Sequence, residues 1–581
     1  MTEYVLGIDA GGTHTDAAIC GPEGLVAAAK TVTRRDDLPS SVAAVLQALR
    51  EMPGVGDAVL SRIRRVTLGA TLAVNAIVQD RADAVGLALS AGPGLAPERF
   101  ALGEHVCVLP GGLDHRGTEV TPLDTAPLAR ALDRWKAADV RAVACVGKFS
   151  PRNPAHENRM REAAAASGLP VSCGHCLSGQ LNFPRRIATA YYNAAVARIH
   201  AAFLDAVEGE LARAGIHAPV RLLKADGGAV PAGLSRRQPV QSILSGPAAS
   251  VMGVMALAPV EEDDCSLLMD MGGTTTDIAL FVDGSPVVDR DGMPLKGRRT
   301  LVRALASLSI GVGGDSLLRL TSDGVRVGPL RDGPACAFGG ERPTLLDALN
   351  VLDAAVPGAS LSGDVAASQC GMAALAAAAG RDAATLAAEA EADALRQVAE
   401  AAQSLLRACN GRPVYTLAAL KGMRTLQPRR IWLVGGPADR LRERLARHMG
   451  LPVDCPSHAD VANAVGAALT LPTAALEVYA DTGRGLLRAP ALDHEERLSA
   501  SSRLPQVEAR ALDLLREHLA TETSAGDVEG LRLEVLEADA FATLDDGGYG
   551  ARDMRVSCQV VPGIAGRLRA TGGDAGDGVW K

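Results

Sequence analysis

The chain has 581 residues, 59 of them Lys or Arg and 67 Asp or Glu, for a net charge of −8, and 48% are hydrophobic. At roughly 150 residues per domain there is room for two large lobes and a smaller unit, and the apolar content excludes a chain that is disordered throughout. An acidic balance without a basic run excludes a nucleic-acid backbone or an anionic membrane surface as the main partner, leaving a small molecule or another protein.

The opening MTEYVLGIDAGG has no basic region and no apolar segment of signal-peptide length, so a cytoplasmic location is expected. No run approaches the roughly 18 apolar residues of a membrane span. Strand-like apolar runs ending in Gly-rich loops recur at 4–12, 84–94, 141–147, 221–228, 265–273 and 430–436, the rhythm of an α/β protein. Between them, a helix is expected to start near Ser40 or Ser41 as N-cap and to bury Val42, Val45, Leu46 and Leu49. A longer one carries Tyr192, Val196, Ile199, Phe203, Val207 and Leu211 at spacings of three and four and stops at Gly215. A third covers about 383–408. Beyond residue 480 the pattern changes to a charged helix (495–520), two strand-like runs and a Gly-rich tail.

The 11 cysteines are scattered, and in a reducing compartment they read as small buried hydrophobes. Cys173-Gly174-His175-Cys176 has the spacing of a redox dithiol or of half a zinc site. No second CxxC and no His pair at finger spacing accompany it, and it follows a strand-like LPVSC, so buried structural thiols are the expectation.

The most informative feature is a repeat. IDAGGTHTDAAI (8–19) and MDMGGTTTDIAL (269–280) agree at seven of twelve positions, 261 residues apart, and each reads as strand, Gly-Gly turn, strand. Two such hairpins suggest related lobes facing one ligand across a cleft. Gly11, Gly12, Gly272 and Gly273 let backbone N–H groups point at an anion, with phosphate the natural guest. Thr13, Thr15, Thr274, Thr275 and Thr276 can add hydroxyl donors. Asp9, Asp16, Asp270 and Asp277 would repel phosphate unless a divalent cation lies between, which implies Mg²⁺. No GxxxxGK[ST] occurs, and GVGGDS (311–316) does not open a helix as a dinucleotide fingerprint would; Asp315 within it suits a turn-capping role. A third element, WLVGGPADRLRERLARHMG (432–450), follows a strand and opens an amphipathic helix, so Gly435 and Gly436 can pass close to a nucleobase or ribose.

Two DxGGTxTD hairpins followed by a strand–GGP–helix element resemble the phosphate-1, phosphate-2 and adenosine motifs of the actin, sugar kinase and heat-shock ATPase superfamily. Within it the chain resembles the hydantoinase A/5-oxoprolinase family through LGATLAVNAIV (68–78), PGGLDHRG (110–117), FSPRNPAHE (149–157), SGQLNFPRRIATAYYNAAV (178–196), SILSGPAASVMG (242–253), SIGVGGDS (309–316) and VANAVGAAL (461–469). It departs where many members carry His-Gly-Thr-Thr, here Leu68-Gly69-Ala70-Thr71, and Gly-Gly-His-Asp, here Gly111-Gly112-Leu113-Asp114.

The resemblance implies an α/β, two-lobed actin-like ATPase of duplicated ribonuclease H-like domains with a small α+β C-terminal appendage. The divisions it implies are 1–180, 181–478 and 479–581. It further implies ATP and Mg²⁺ as cofactors and ATP-driven opening of a cyclic amide such as a hydantoin or 5-oxoproline, with acetone carboxylase as a relative that phosphorylates its substrate for carboxylation. A hydantoinase B-like subunit and a homo- or hetero-oligomer belong to the same expectation. On this reading Asp9 and Asp270 hold the metal, Asp16 and Asp277 complete its shell or orient the acceptor, and Asn75, Asp114, Arg186 and Asn193 are candidates for substrate contact. Arg186 could clamp a carboxylate, and His156 with Glu157 could act as an acid–base pair. The alternatives are an ATPase that remodels a protein partner and a small-molecule kinase, since the superfold serves all three.

Overall fold

In the computed structural model, which describes residues 3–568 apart from 35, 263, 290–291, 323, 355, 357, 412–423, 524–527, 529 and 546–547, the first repeat is an antiparallel pair of strands, Tyr4–Ala10 and His14–Gly21. A third strand, Gly24–Val32, continues the meander. On its other side Tyr4–Ala10 pairs in parallel with Ile63–Ala70, which pairs in parallel with Val220–Leu223. The second repeat copies this arrangement: Cys265–Met271 lies antiparallel to Thr276–Val282 and parallel to Ile431–Val434, which is followed by Val453–Asp454. Ser307–Ile310 supplies the outer antiparallel strand. Both central strands are almost wholly buried, as parallel-sheet strands covered on two faces must be.

Helices cover these sheets. Leu38–Arg50 buries Leu38, Val42, Val45, Leu46 and Leu49 against the first sheet. It begins ahead of the expected Ser40 or Ser41, because Asp37 is the N-cap and accepts from Ser40 N at 3.1 Å. Pro39 is harmless in the first turn, where its missing N–H would have had no partner. Phe183–Arg213 runs 31 residues, starting well before the expected apolar stripe, with Asn182 as N-cap. Ala383–Asn410 and Ala438–Met449 pack on the second sheet, as expected, around Leu267, Met269, Ile278, Leu386, Val398 and Leu433.

Between Ile63–Ala70 and Val220–Leu223 the chain inserts a parallel four-stranded sheet in the order Val171–Cys173, Ala142–Val146, Val85–Ser90, His105–Leu109. The C-terminal unit is an antiparallel sheet of Ala475–Asp481, Leu486–Ala489, His494–Arg497, Leu533–Asp545 and Gly548–Val560 with one helix, Leu504–Glu522, packed on it. The charged helix expected from 495 therefore starts later. His494–Arg497 is an edge strand paired with Leu486–Ala489, and that pairing overrides the low strand propensity of its charged residues. Arg152 grips Asp553 through two bonds of 2.6 and 2.7 Å, and Arg116 meets Asp481 at 2.7 Å, tying this unit to the inserted sheet. No helix among the described residues is long and apolar enough to cross a membrane.

Helices Ser245–Leu257 and Ala462–Leu469 cross where the two lobes meet. Their small residues, Gly253, Ala249, Ala462 and Gly466, bring backbone against backbone, and Ala462–Leu469 also lies on Gly7 of the first strand. This crossing sets the two hairpins opposite each other.

Candidate active site

In both hairpins the acidic residues are cross-strand partners at the same register: Asp9 opposite Asp16, and Asp270 opposite Asp277. Each turn is closed by the same backbone bond, from Gly11 N to His14 O at 3.1 Å and from Gly272 N to Thr275 O at 2.9 Å. The turns face one another, since a Cβ on Gly273 would stand 3.4 Å from Thr13 Cγ2 of the first hairpin. Asn463, at the start of the crossing helix, donates from Nδ2 to Asp9 Oδ2 at 3.3 Å and also reaches Asp270, so one amide spans carboxylates of the two lobes.

Further groups bind this cluster. Ser250 Oγ–H donates to Asp270 Oδ2 at 2.5 Å, and Ser309 bonds Asp277 from the neighbouring strand. Lys30, opposite Asp16 in the sheet, brings Nζ to 3.3 Å from Asp16 Oδ2. Lys30, Ser250, Ser309 and Asn463 escaped the reading of the sequence. Ser250, Ser309 and Asn463 lie in family-like segments whose individual side chains carry no spacing signal, while Lys30 is placed only by strand register.

Burial pushes Asp9 up to about 6, with Asp270 adding to the rise, and pushes Asp16 and Asp277 up to about 7. Asp270 is raised by burial too. Asp9 Oδ1 and Asp16 Oδ1 are buried with no hydrogen-bond partner among the described residues. Orphaned oxygens on carboxylates that resist ionisation are what a hard divalent cation would relieve, so the donor set fits Mg²⁺.

With native values above the ordinary 3.8, the folded state holds more protons than the unfolded chain between about pH 4 and 7, so stability is full below that window and falls as pH rises through it. We expect the melting temperature of the metal-free protein to fall from pH 5 to pH 8. Asp16→Asn should flatten that fall, and Mg²⁺ should raise stability more at pH 8 than at pH 5. Calorimetry at several pH values checks this, and a variant as steep as the wild type would contradict it.

The Thr hydroxyls divide. Thr13, Thr274 and Thr275 sit at the turns and remain partly accessible. Thr15 and Thr276, expected to face phosphate, do not: Thr15 Oγ1 pairs with Thr33 Oγ1 at 2.8 Å and Thr276 Oγ1 donates to Val312 O at 2.6 Å, both fully buried. Successive side chains of a strand alternate faces, so with Asp16 and Asp277 facing the cleft, the preceding Thr must face inward. Asp315 lies against Gly273 and pairs with Arg331 at 2.9 Å, at the mouth of the second hairpin. Gly435 has φ +100°, and a Cβ there would overlap the carbonyl of Met271, so the GGP turn rests directly on the second hairpin. Gly436 beside it is open, with nothing within 4 Å of its missing Cβ.

The residues expected to contact substrate are placed elsewhere. His156 and Glu157 cannot act as a pair on one substrate. Consecutive helix positions do not face each other, and His156 Nε2 binds Glu119 at 2.8 Å while Glu157 accepts from Gly147 N at 2.7 Å and from His175. Both are fully buried. Arg186, also fully buried, donates from Nη2 to Gly147 O at 2.7 Å and Lys148 O at 2.6 Å beside Glu157 and so ties down a loop of this chain, while its Nε and Nη1 have no hydrogen-bond partner among the described residues. Asn193 bridges Ser172 Oγ, Arg237 O and Val240 N. Asp114 caps its own turn, accepting from Arg116 N and Thr118 N. The side chain of Asn75 lies outside the described residues.

Duplicated lobes with opposed Gly-Gly hairpins define an actin-like ATPase fold. The hydantoinase/oxoprolinase profile matches residues 186–475, and that of the hydantoinase/oxoprolinase N-terminal region matches 5–168. The chain belongs to the hydantoinase/oxoprolinase family. It is 28% identical over 396 residues to caprolactamase subunit alpha of Pseudomonas jessenii, covering 62% of this chain and 56% of that one. The structure of the ATP-dependent caprolactamase from Pseudomonas jessenii matches with a TM-score of 0.69 at 23% identity, and nucleotide-free acetone carboxylase matches at 0.70 and 18%. Each match covers 97% of this chain and 88% of the other. The chain spans about half the length of the curated relatives it matches.

Proposed function

We propose that the chain uses ATP and Mg²⁺ to activate the carbonyl oxygen of a cyclic amide and so open its ring. The observation that carries this reading is the set of four carboxylates held above their ordinary range by burial, two with orphaned oxygens, flanking two opposed Gly-Gly turns. An amide carbon is a poor electrophile. If its oxygen attacks the γ-phosphorus, ADP departs, and the O-phosphorylated carbon accepts water. The C–N bond then breaks, the hydroxyl proton passing to the departing amine, and a second water cleaves the resulting acyl phosphate to the ring-opened acid and free phosphate.

Such a transfer asks the protein mainly for positioning and charge neutralisation. The amides of Gly12 and Gly273 and the hydroxyls of Thr13, Thr274 and Thr275 would hold phosphate oxygens, whereas the Gly11 and Gly272 amides, expected to do the same, are spent on closing their turns. Asp9, Asp16, Asp270 and Asp277 would hold Mg²⁺, which when bound neutralises the phosphate charge. Gly435 and Gly436 would flank the nucleoside, and Lys30 and Asn463 fix the geometry of the carboxylates. The relatives suggest the substrate class: one is an ATP-dependent caprolactamase, and its matching chain is an alpha subunit, which supports a partner subunit here as well.

The test is phosphate release from Mg·ATP with a panel of lactams, hydantoins and 5-oxoproline, and separately with ketones plus bicarbonate. Stimulation by one cyclic amide, with the ring-opened acid as product and no phosphorylated end product, supports the reading. Stimulation by ketones alone would move the chain to carboxylation, and stimulation only by a protein partner would favour remodelling.

A further inference from the structure

The Cys173–Cys176 segment was expected to be inert, and the nucleotide site makes no use of it. Cys173 ends the strand Val171–Cys173 and caps the short helical turn Gly174–Leu177, buried at 4% exposure, while Cys176 is only partly buried. Both thiols line a cavity of about 2280 Å³ between the inserted sheet, the second lobe and the C-terminal unit, together with Arg185, Gln238, His518 and Glu522. Cys176 Sγ lies 3.3 Å from His175 Nε2, and His175 Nδ1 lies 2.5 Å from Glu157 Oε2. His175 and Glu157 are fully buried. A carboxylate thus orients an imidazole, the imidazole faces a thiol, and the thiol faces a cavity with a second thiol three residues away.

We propose that Cys173 and Cys176 form a redox-active dithiol that exchanges with low-molecular-weight disulfides entering this cavity, with Cys176 as the attacking thiol and Cys173 as the resolving one. Cys176 thiolate attacks one sulfur of the disulfide, forming a mixed disulfide and releasing a thiolate that takes the proton held by His175. Cys173 then attacks the Cys176 sulfur, loses its proton to the second departing thiolate, and closes the Cys173–Cys176 bond. Two electrons pass from the protein dithiol to the small disulfide, yielding two small thiols.

The electrostatics agree with these roles. Hydrogen bonding from Cys173 and from His175 outweighs burial and brings Cys176 down to about 5, whereas Cys173 is raised by its bond to Cys176 and by burial. Burial opposes the charged form of His175, yet the Glu157 charge, hydrogen bonds to Cys176 and Glu157 and the Cys176 charge together hold it up at about 10. The thiolate is the nucleophile in exchange, so the lower thiol attacks. Glu157, Cys173 and His175 also bring three ligand-type atoms within 4.8 Å of one another. Both Glu157 oxygens are already committed to Gly147 N and His175, which favours the dithiol over a metal.

The test uses the full chain. Limiting iodoacetamide with peptide mass spectrometry should label Cys176 about tenfold faster than the exposed Cys370. Glutathione disulfide should then produce a Cys173–Cys176 disulfide in the wild type and a stable mixed disulfide at Cys176 in Cys173→Ser. In Cys176→Ser neither should form. Faster labelling of Cys370 with no linked peptide would overturn the proposal. So would a purified protein holding one equivalent of zinc whose thiols react only after chelation.

Discussion

Asp9→Asn and Asp270→Asn are each expected to lower cyclic-amide-stimulated phosphate release by at least about 100-fold, the scale seen when a group that stabilises transition-state charge is removed, while leaving the metal-free protein as stable as before or more so. The two effects have one cause. These carboxylates are buried, close to each other through Asn463, and held above their ordinary range by lost hydration. A neutral amide of the same shape removes that penalty and the mutual repulsion, but it also removes the charge that would hold Mg²⁺. Activity loss with a matching loss of stability would show that the aspartates serve the fold instead. Titration of Mg²⁺ by fluorescence or calorimetry should show weakened binding in both variants.

Gly466→Ala should destabilise the protein by about 3 kcal/mol, the upper part of the range for overpacking a filled interior, and should also reduce phosphate release. A Cβ there would overlap the backbone of Ala249 and Gly253 on the crossing helix, and main chain cannot rotate away as a side chain can. Parting the two helices displaces Asn463, three residues earlier on the same element, from the carboxylates of both lobes. The control is Gly233→Ala, on the surface helix Ala232–Arg237 with nothing within 4 Å. It should be neutral or stabilising by about 0.5–1 kcal/mol, because Ala has the higher helix propensity and the smaller loss of backbone entropy. Chemical denaturation of the three proteins checks both; equal stabilities for the two variants would mean that the crossing tolerates separation.

The sequence by itself determined the paired hairpins, the strand–GGP–helix element and the α/β rhythm, because each rests on local chemistry: glycines where the chain must turn, apolar runs that must be buried, and acids kept at fixed spacing from the turn. It also determined that the four aspartates stand at matching places, since a repeat at equivalent positions of two strands puts like groups at like register once each hairpin forms. Only the tertiary structure decided which neighbours those residues have. Lys30, Ser250, Ser309 and Asn463 reach the cluster through strand register and helix crossing, contacts between segments as much as 454 residues apart. Thr15 and Thr276 turned inward because a strand alternates faces once its partner face is chosen. His156, Glu157, Arg186 and Asn193 looked like ligand-binding groups because polar residues in family-like motifs look alike whether they meet a substrate or another part of the chain. Burial separates those cases, and burial is a property of the packed whole: in that packing Glu157 and Arg186 secure the Gly147–Lys148 loop, and Glu157 also orients His175 beside the cysteine pair.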